Sequence, residues 1–266
     1  MRKIKNTIRL IIDVKKQYDR YLIGVYAAQG AFFVLISAVP LAMLTIVLLG
    51  MFAPLDLMGI RRILAEFFTQ KANNYILTLL GELQQRATIP LLSVTMAFLL
   101  WAATRGVRSI AEGIGTIYGA QQYSTVQKAV RSGLYSVFMI IVSVGAVAVM
   151  VFAEEYFAME QWYGTLYRHI ILFCLLTFLF ATAYKFLAKS NLSFKSQLWG
   201  GAFAAVGWIV YTFGYSVYIR HFSKYSLLYG SFGAVMLFML WLYMCMNILL
   251  WGALLGKLKA EGIKCD

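Results

Sequence analysis

Six long apolar runs dominate the chain, and polar residues cluster in the segments between them. The runs cover about 24–52, 89–104, 134–153, 170–187, 198–219 and 227–256. A helix needs about 20 apolar residues to cross the hydrocarbon layer of a membrane, and backbone polar groups in lipid must be satisfied within the segment. The pattern therefore predicts an all-α polytopic protein with six transmembrane helices, forming a single membrane domain over residues 1–266.

Two segments outside these runs also carry helical patterns. Within residues 1–23, apolar side chains recur at near-helical spacing among lysines and arginines. This predicts a cytoplasmic amphipathic helix on the inner leaflet, with a solvated basic tail as the alternative. Residues 54–88 contain two apolar stripes broken at 72–74, which predicts an extracytoplasmic helical hairpin between the first two spans.

The composition excludes an ordinary soluble domain. Apolar residues make up 61% of the chain and charged residues 13%, whereas a globular domain is roughly 45–50% apolar and 25% charged. A soluble fold of this length has too little interior for so much apolar surface. The chain is therefore expected in a membrane.

Basic residues are unevenly distributed between the two sides of the predicted bundle. The segments 1–23, 105–133, 185–197 and 257–266 hold 17 of the 24 lysines and arginines. Such residues mark cytoplasmic segments, so both termini are expected in the cytoplasm. The net charge of +13 then fits anionic headgroups at the cytoplasmic face, and we expect membrane lipids as partners and no nucleic acid.

An arginine pair follows the second apolar run. Arg105 and Arg108 are three positions apart and so project from one helical face. Guanidinium groups match phosphate and sulfate oxygens, which makes the pair a candidate site for an anionic headgroup. The alternative is two arginines that simply reach the inner membrane interface.

Polar residues within two spans are further candidates for substrate binding. Pro40 removes a backbone hydrogen bond in the first span and predicts a helix break, with Ser37 near the freed carbonyl group. A purely structural kink is the alternative. Asn247 in the last span needs a hydrogen-bond partner and is expected to face the bundle, where it binds substrate or joins two helices.

Glycines in the fifth span predict a close-packing surface or a hinge; they are Gly200, Gly201, Gly207 and Gly214. The sequence contains no comparable pattern that indicates catalysis. The two histidines are isolated, and the spans carry no Asp or Glu except near their ends. We therefore predict no catalytic residues, no metal site and no cofactor, and hence that the protein is not an enzyme.

Three stretches of the chain form longer motifs: SAVPL at 37–41, ATRGVRSIAEGIGTIYG at 103–119, and LLYGSFGAVMLFMLWLYMCMNILLWGALL at 227–255. Together they resemble the YihY family, also called the virulence factor BrkB family. The resemblance covers nearly the whole chain and implies a multi-pass protein of the bacterial plasma (inner) membrane with cytoplasmic termini. The residues that it marks as family motifs are Tyr118, Gly119, Tyr229, Gly230, Trp241 and Gly252.

The resemblance implies little chemistry. An old label, ribonuclease BN, ties the family to transfer-RNA processing. Metal-dependent phosphodiester cleavage needs clustered carboxylates or histidines, which this sequence lacks, so the label is not expected to apply. The sequence departs from the family where Leu254 follows Gly252-Ala253 instead of an acidic residue, where no proline follows the fourth span, and where the fifth span opens without Pro-Gly-Ala.

Together these features predict a transporter or flippase-like protein for a lipid or other amphiphilic, anionic molecule. The predicted substrate-binding residues are Arg105, Arg108, Ser37 and Asn247. The predicted break or hinge residues are Pro40, Gly200, Gly201 and Gly207. The alternative is a non-transporting membrane scaffold that binds partner proteins in envelope assembly. Association into a homo-oligomer is left open.

Overall fold

The computed structural model describes residues 15–52, 89–119, 123–156, 162–188, 192–222 and 226–260. The helices in these ranges are α1 (Ile23–Phe52), α2 (Ile89–Tyr118), α3 (Thr125–Tyr156), α4 (Trp162–Leu187), α5 (Phe194–Phe222) and α6 (Ser226–Ala260). Residues 15–20 form a further helical stretch that turns at 21–22 into α1. All regular structure in the described ranges is helical, which confirms the predicted fold class.

Each predicted span lies within one helix, and five of the helices contain a segment long and apolar enough to cross a membrane. These segments are Ile23–Thr45, Thr125–Ala146, Ile170–Leu187, Phe194–Ile219 and Val235–Ala260. Among the described residues, α2 contains no such segment. Its apolar run is short and is followed by Arg105, Arg108 and Glu112, so the count of six spans stays a prediction.

The helices extend well beyond several predicted spans. The second span was predicted to end at 104, but α2 continues through the arginine pair to Tyr118. The third span was predicted from 134, whereas α3 begins at Thr125. In α2 the extension has a buried face that includes Ile110, Ile114 and Ile117, whereas the extension of α3 is mostly exposed up to Ser132.

Two predicted elements fall wholly or mainly outside the described residues. These are the hairpin over 54–88 and the first part, residues 1–14, of the predicted amphipathic helix.

Helix α6 is central to the bundle. It packs against α1, α2 and α5, while α2 also contacts α1, α3 and α4, and α4 contacts α3 and α5. The buried core lies where the start of α1, the second half of α2, the end of α4, the start of α5 and the end of α6 meet. The described helices therefore converge most tightly at the end of the bundle that the charge pattern assigns to the cytoplasm.

Large apolar side chains are also exposed along the outside of the helices. Examples are Val39 at 67%, Ile141 at 65%, Val210 at 64% and Phe213 at 73% exposure. Contiguous apolar surface of this kind would be unstable in water but is the normal surface of a protein in lipid. The exposed surface thus agrees with the membrane assignment from composition.

Candidate functional site

The arginine pair lies on the outer face of α2. Arg105 is exposed and Arg108 is partly exposed, and Trp101, one turn before Arg105, is 50% exposed. The opposite face is buried and carries Ala102, Gly106, Ser109, Ile110 and Gly113. The pair consequently faces away from the interior of the bundle.

The outward direction of the pair is fixed by the packing of α1 on α2. A Cβ atom added to Gly106 would lie 3.4 Å from Phe33 Cβ, and one added to Gly30 would lie 3.0 Å from Ile110 Cδ1. Ser109 donates a hydrogen bond to the Tyr26 carbonyl oxygen at 2.9 Å. These contacts leave α2 no freedom to rotate its arginines inward without separating the two helices.

The two arginines differ in their electrostatic surroundings. Arg108 Nε lies 3.1 Å from Glu112 Oε1, and both side chains are 31% exposed. The ion pair joins residues one helical turn apart, and both side chains are partly exposed to solvent, so it holds Arg108 in place with only a small gain in stability. Within the described part of the chain, Arg105 has no hydrogen-bond or ion-pair partner.

Other basic residues at this end of the bundle bind carbonyl groups at helix C-termini. Lys257 Nζ donates to the Ile117 carbonyl oxygen at 2.7 Å, and Arg131 Nη1 donates to the Phe186 carbonyl oxygen at 2.9 Å. The last carbonyls of a helix lack intrahelical partners and carry partial negative charge, which cations stabilise. Part of the basic charge at this end therefore has a structural role, in contrast to Arg105.

Asn247 is buried and its side chain is fully hydrogen-bonded. It accepts a hydrogen bond from Tyr18 Oη at 2.8 Å and donates one to the Tyr243 carbonyl oxygen at 2.9 Å. The Tyr18 ring also stacks on Trp251, with the ring centroids 5.8 Å apart. Burial raises the pKa of Tyr18 to about 12, with Tyr243 adding to the shift, so the phenol remains a neutral hydrogen-bond donor near neutral pH. Asn247 thus joins α6 to the segment that precedes α1.

Ser37 and Pro40 are buried in α1, which is helical on both sides of the proline. The Ser37 hydroxyl donates to the Val34 carbonyl oxygen at 2.9 Å. It does not donate to the carbonyl of Ile36, the group that Pro40 leaves without its usual partner. Of the four predicted substrate-binding residues, two are therefore on the outer face of α2 and two are buried in other helices.

Three glycines of α5, Gly200, Gly201 and Gly207, lie at close contacts with α4 and α6. A Cβ atom on Gly200 would collide with the Gly252 backbone, and one on Gly252 would lie 2.6 Å from the Gly200 carbonyl oxygen. A Cβ atom on Gly201 would lie 2.7 Å from the Thr177 carbonyl oxygen of α4, and one on Gly207 would lie 2.8 Å from Ile248 of α6. These distances favour the packing interpretation of this surface over a hinge.

The remaining family-motif residues lie in different parts of the bundle. Gly119 has a φ of +59° and follows the last residue of α2, a left-handed position that glycine adopts readily. Trp241 Nε1 donates to Thr212 Oγ1 at 3.3 Å, and its ring contacts Trp208. Tyr229 and Gly230 lie in the first turns of α6, and their side chains are not among those that the structure describes.

The burial of several polar side chains was not predicted from the sequence. The Gln197 side chain is completely buried, and neither of its amide atoms has a hydrogen-bond partner among the described residues. The Tyr118 hydroxyl is likewise buried without a partner, and burial raises the pKa of this phenol. Tyr184 is also completely buried and donates to the Leu249 carbonyl oxygen at 2.6 Å. A single glutamine or tyrosine beside or within an apolar run gives only a weak sequence signal for such burial.

The fold and these sites define a class. A bundle of long helices with an apolar exterior, buried side-chain hydrogen bonds and a basic end is a multi-pass integral membrane protein.

Comparison with known proteins agrees with this class. Residues 14–258 match the family model described as virulence factor BrkB, and the chain belongs to that family. It is 22% identical over 264 residues to the ribonuclease-like protein YfkH of Bacillus subtilis (strain 168), covering 92% of this chain and 96% of that protein. It is 25% identical over 259 residues to the UPF0761 membrane protein VV0203 of Vibrio vulnificus (strain YJ016), covering 92% of this chain and 80% of that protein. No solved structure matches the chain.

Proposed function

We propose that this protein binds an anionic lipid or another anionic amphiphile at the outer face of α2 and moves it across or within the bacterial plasma membrane. One observation carries the proposal: Arg105, exposed and without a partner among the described residues, stands beside Arg108 and one turn from the exposed Trp101. A guanidinium group next to an apolar ring suits a molecule with an anionic headgroup and an acyl chain.

The direction of this face supports lipid as the ligand. Because Arg105 points away from the buried core, a ligand would reach it laterally from the bilayer. The opposite face of α2 packs against α1 and α6, so the helix has a support against which a headgroup can bind.

The proposal includes the topology. We infer that α2 crosses the membrane as a sixth span and that both termini are cytoplasmic, as the distribution of basic residues indicates. In this arrangement, the arginine pair lies at the inner interface, where anionic headgroups are available.

We further infer that the protein is not a nuclease. The support comes from the sequence, whose 11 acidic residues and 2 histidines form no motif of the kind that holds catalytic metal ions. The Bacillus relative is named for its likeness to a ribonuclease, and that name assigns no activity to this chain.

A scaffold function is the second candidate, because two glycines leave small-residue surface on the outside of the bundle. A Cβ atom added to Gly145 of α3 or to Gly214 of α5 would meet nothing within 4 Å. Small residues allow another transmembrane helix to approach closely. Crosslinking from these positions to a specific partner, with no lipid movement by the purified protein, would favour this function.

Reconstitution into liposomes tests the leading proposal. The rate at which a fluorescent anionic lipid changes leaflet is measured for the unchanged chain, for R105Q/R108Q and for K15Q/K195Q, which removes two exposed charges elsewhere. We expect a loss of roughly tenfold or more in R105Q/R108Q, since hydrogen bonds to charged groups contribute about 1.5–3 kcal/mol, and little change in the control. An unchanged rate in R105Q/R108Q at equal reconstitution would overturn the assignment.

A further inference from the structure

Residues 15–22, here called the strap, are bound to the end of α6. The Tyr18 hydroxyl donates to Asn247 Oδ1 at 2.8 Å, and its ring stacks on Trp251 at an interplanar angle of 28°. Both partners lie on α6, four residues apart, and so share one face of that helix. The strap is therefore held by a specific aromatic and hydrogen-bonded contact.

A second contact fixes the other end of the strap. Lys257 Nζ lies 3.3 Å from Tyr21 Oη and 5.3 Å from the centre of the Tyr21 ring. The same ammonium group donates to the Ile117 carbonyl oxygen of α2. The strap is thereby joined to α2 and α6 at once.

The connection between the strap and α1 has an unfavourable backbone conformation. Leu22, between the two helical stretches, has a φ of 51° and is 52% exposed. Left-handed φ values are disfavoured for residues with a Cβ atom, and such strain persists only when surrounding contacts hold it. The contacts of Tyr18 and Tyr21 supply that constraint, so losing them would let the strap swing away.

The surface beneath Tyr18 is suited to recognise a hydroxyl group. A Cβ atom on Gly24 would lie 2.6 Å from Tyr18 Oη and 3.2 Å from Tyr243 Oη, so the missing side chain makes room for two hydroxyl groups. The Asn247 amide nitrogen is already bonded to its own helix at 2.9 Å. The atom that Asn247 presents to the strap is thus an acceptor, next to the flat face of Trp251.

We propose that Tyr18 occupies a headgroup site formed by Gly24, Tyr243, Asn247 and Trp251, and that a lipid headgroup carrying a hydroxyl group binds there when the strap leaves. The hydroxyl of the ligand replaces that of Tyr18 on Asn247 Oδ1, which would otherwise lose the hydrogen bond that Tyr18 donates. The lipid nature of the ligand rests on the proposed function, whereas the closed position of the strap follows from the contacts of Tyr18 and Tyr21 alone.

Hydrogen–deuterium exchange of residues 15–22, in the full-length protein in nanodiscs, tests both parts. Y18F removes the hydroxyl but keeps the ring, and Y123F is the matched control because the Tyr123 hydroxyl binds Arg131 elsewhere at this end. We expect about three- to tenfold faster exchange of the strap in Y18F and none of this effect in Y123F. Equal exchange in Y18F and the unchanged chain would overturn the strap contact.

The ligand is tested by comparing nanodiscs that contain phosphatidylglycerol with nanodiscs that contain phosphatidylmethanol. Both lipids are anionic, but only the first has hydroxyl groups on its headgroup. Faster exchange of the strap in phosphatidylglycerol alone supports the hydroxyl site, while equal exchange in the two lipids overturns it. R105Q/R108Q keeps the strap contacts, so a failure of lipid movement in that variant is distinguishable from a failure of this site.

Discussion

Two buried amide side chains have opposite hydrogen-bonding states. Asn247 has partners for its oxygen and its nitrogen, whereas neither group of Gln197 has one among the described residues. A buried polar group without a partner costs stability, and an apolar group of the same shape avoids that cost. Replacing each amide by leucine is therefore expected to change the stability of the protein in opposite directions at the two positions.

We expect N247L to lower the thermal midpoint of unfolding by several degrees, because it leaves the Tyr18 hydroxyl without its hydrogen-bond acceptor. We expect Q197L to leave the midpoint unchanged or to raise it. Fluorescence-monitored unfolding of the purified variants in one detergent gives both values. A fall in Q197L as large as that in N247L would show that Gln197 has a stabilising partner.

For single residues, the sequence predicted which side chains are buried better than it predicted their hydrogen-bond partners. That Asn247 faces the bundle followed from its place in an apolar span, and this is confirmed by its 6% exposure. Its partner could not be predicted, because Tyr18 is 229 positions away and pairs with it only once the strap folds back. Gln197 was missed because it lies in the first turn of α5, where a polar residue normally meets water.

Among the helices, the contact of α5 with α6 depends on the absence of side chains. Gly200 and Gly252 approach backbone to backbone, and Ser196 donates to the Gly256 carbonyl oxygen at 2.8 Å one turn away. In lipid, such close contacts replace the hydrophobic driving force that joins helices in water. An added methyl group at this crossing must separate the helices, because backbone atoms cannot give way as a side chain can.

We expect G252A to destabilise the protein strongly, with a marked loss of folded yield. G214A on α5 is the matched control, since a Cβ atom there meets nothing within 4 Å and alanine has the higher helix propensity. Size-exclusion chromatography of the two variants at equal expression provides the comparison. Equal folded yields would contradict the close packing at Gly252.

Helix positions followed from the apolar runs, but helix lengths did not. Residues 105–118 were assigned to a cytoplasmic segment because charges begin at Arg105, although Gly106, Ile110, Gly113 and Ile117 continue a small or apolar face at helical spacing. The charges lie on the opposite face, so they mark the end of the apolar run without ending α2. The spacing of the apolar and small residues on one face of the helix predicts this extension of α2, whereas the mean hydropathy does not.

For the molecule as a whole, the number of membrane crossings decides the orientation of the termini. With six crossings the termini share one side, and with the five candidate segments of the described residues alone they would lie on opposite sides. The positive-inside pattern agrees with six. Helix α2 is therefore the element on which the topology depends.

We expect both termini to be cytoplasmic. In intact bacterial spheroplasts, a membrane-impermeant maleimide should label neither Cys265 nor a cysteine introduced at position 5, in a background without Cys174 and Cys245. Both should react after permeabilisation. Labelling of one terminus alone in intact cells would show that α2 does not cross.

Retention of anionic lipid by the arginine face of α2 is the claim most directly open to measurement. Native mass spectrometry with lipid identification, on protein extracted gently from its own membrane, compares the unchanged chain with R105Q/R108Q and with K15Q/K195Q. We expect one anionic lipid or amphiphile to be retained by the unchanged chain and the control and lost from R105Q/R108Q. Only bulk lipid in membrane proportions, equal in all three proteins, would contradict a headgroup site at Arg105 and Arg108.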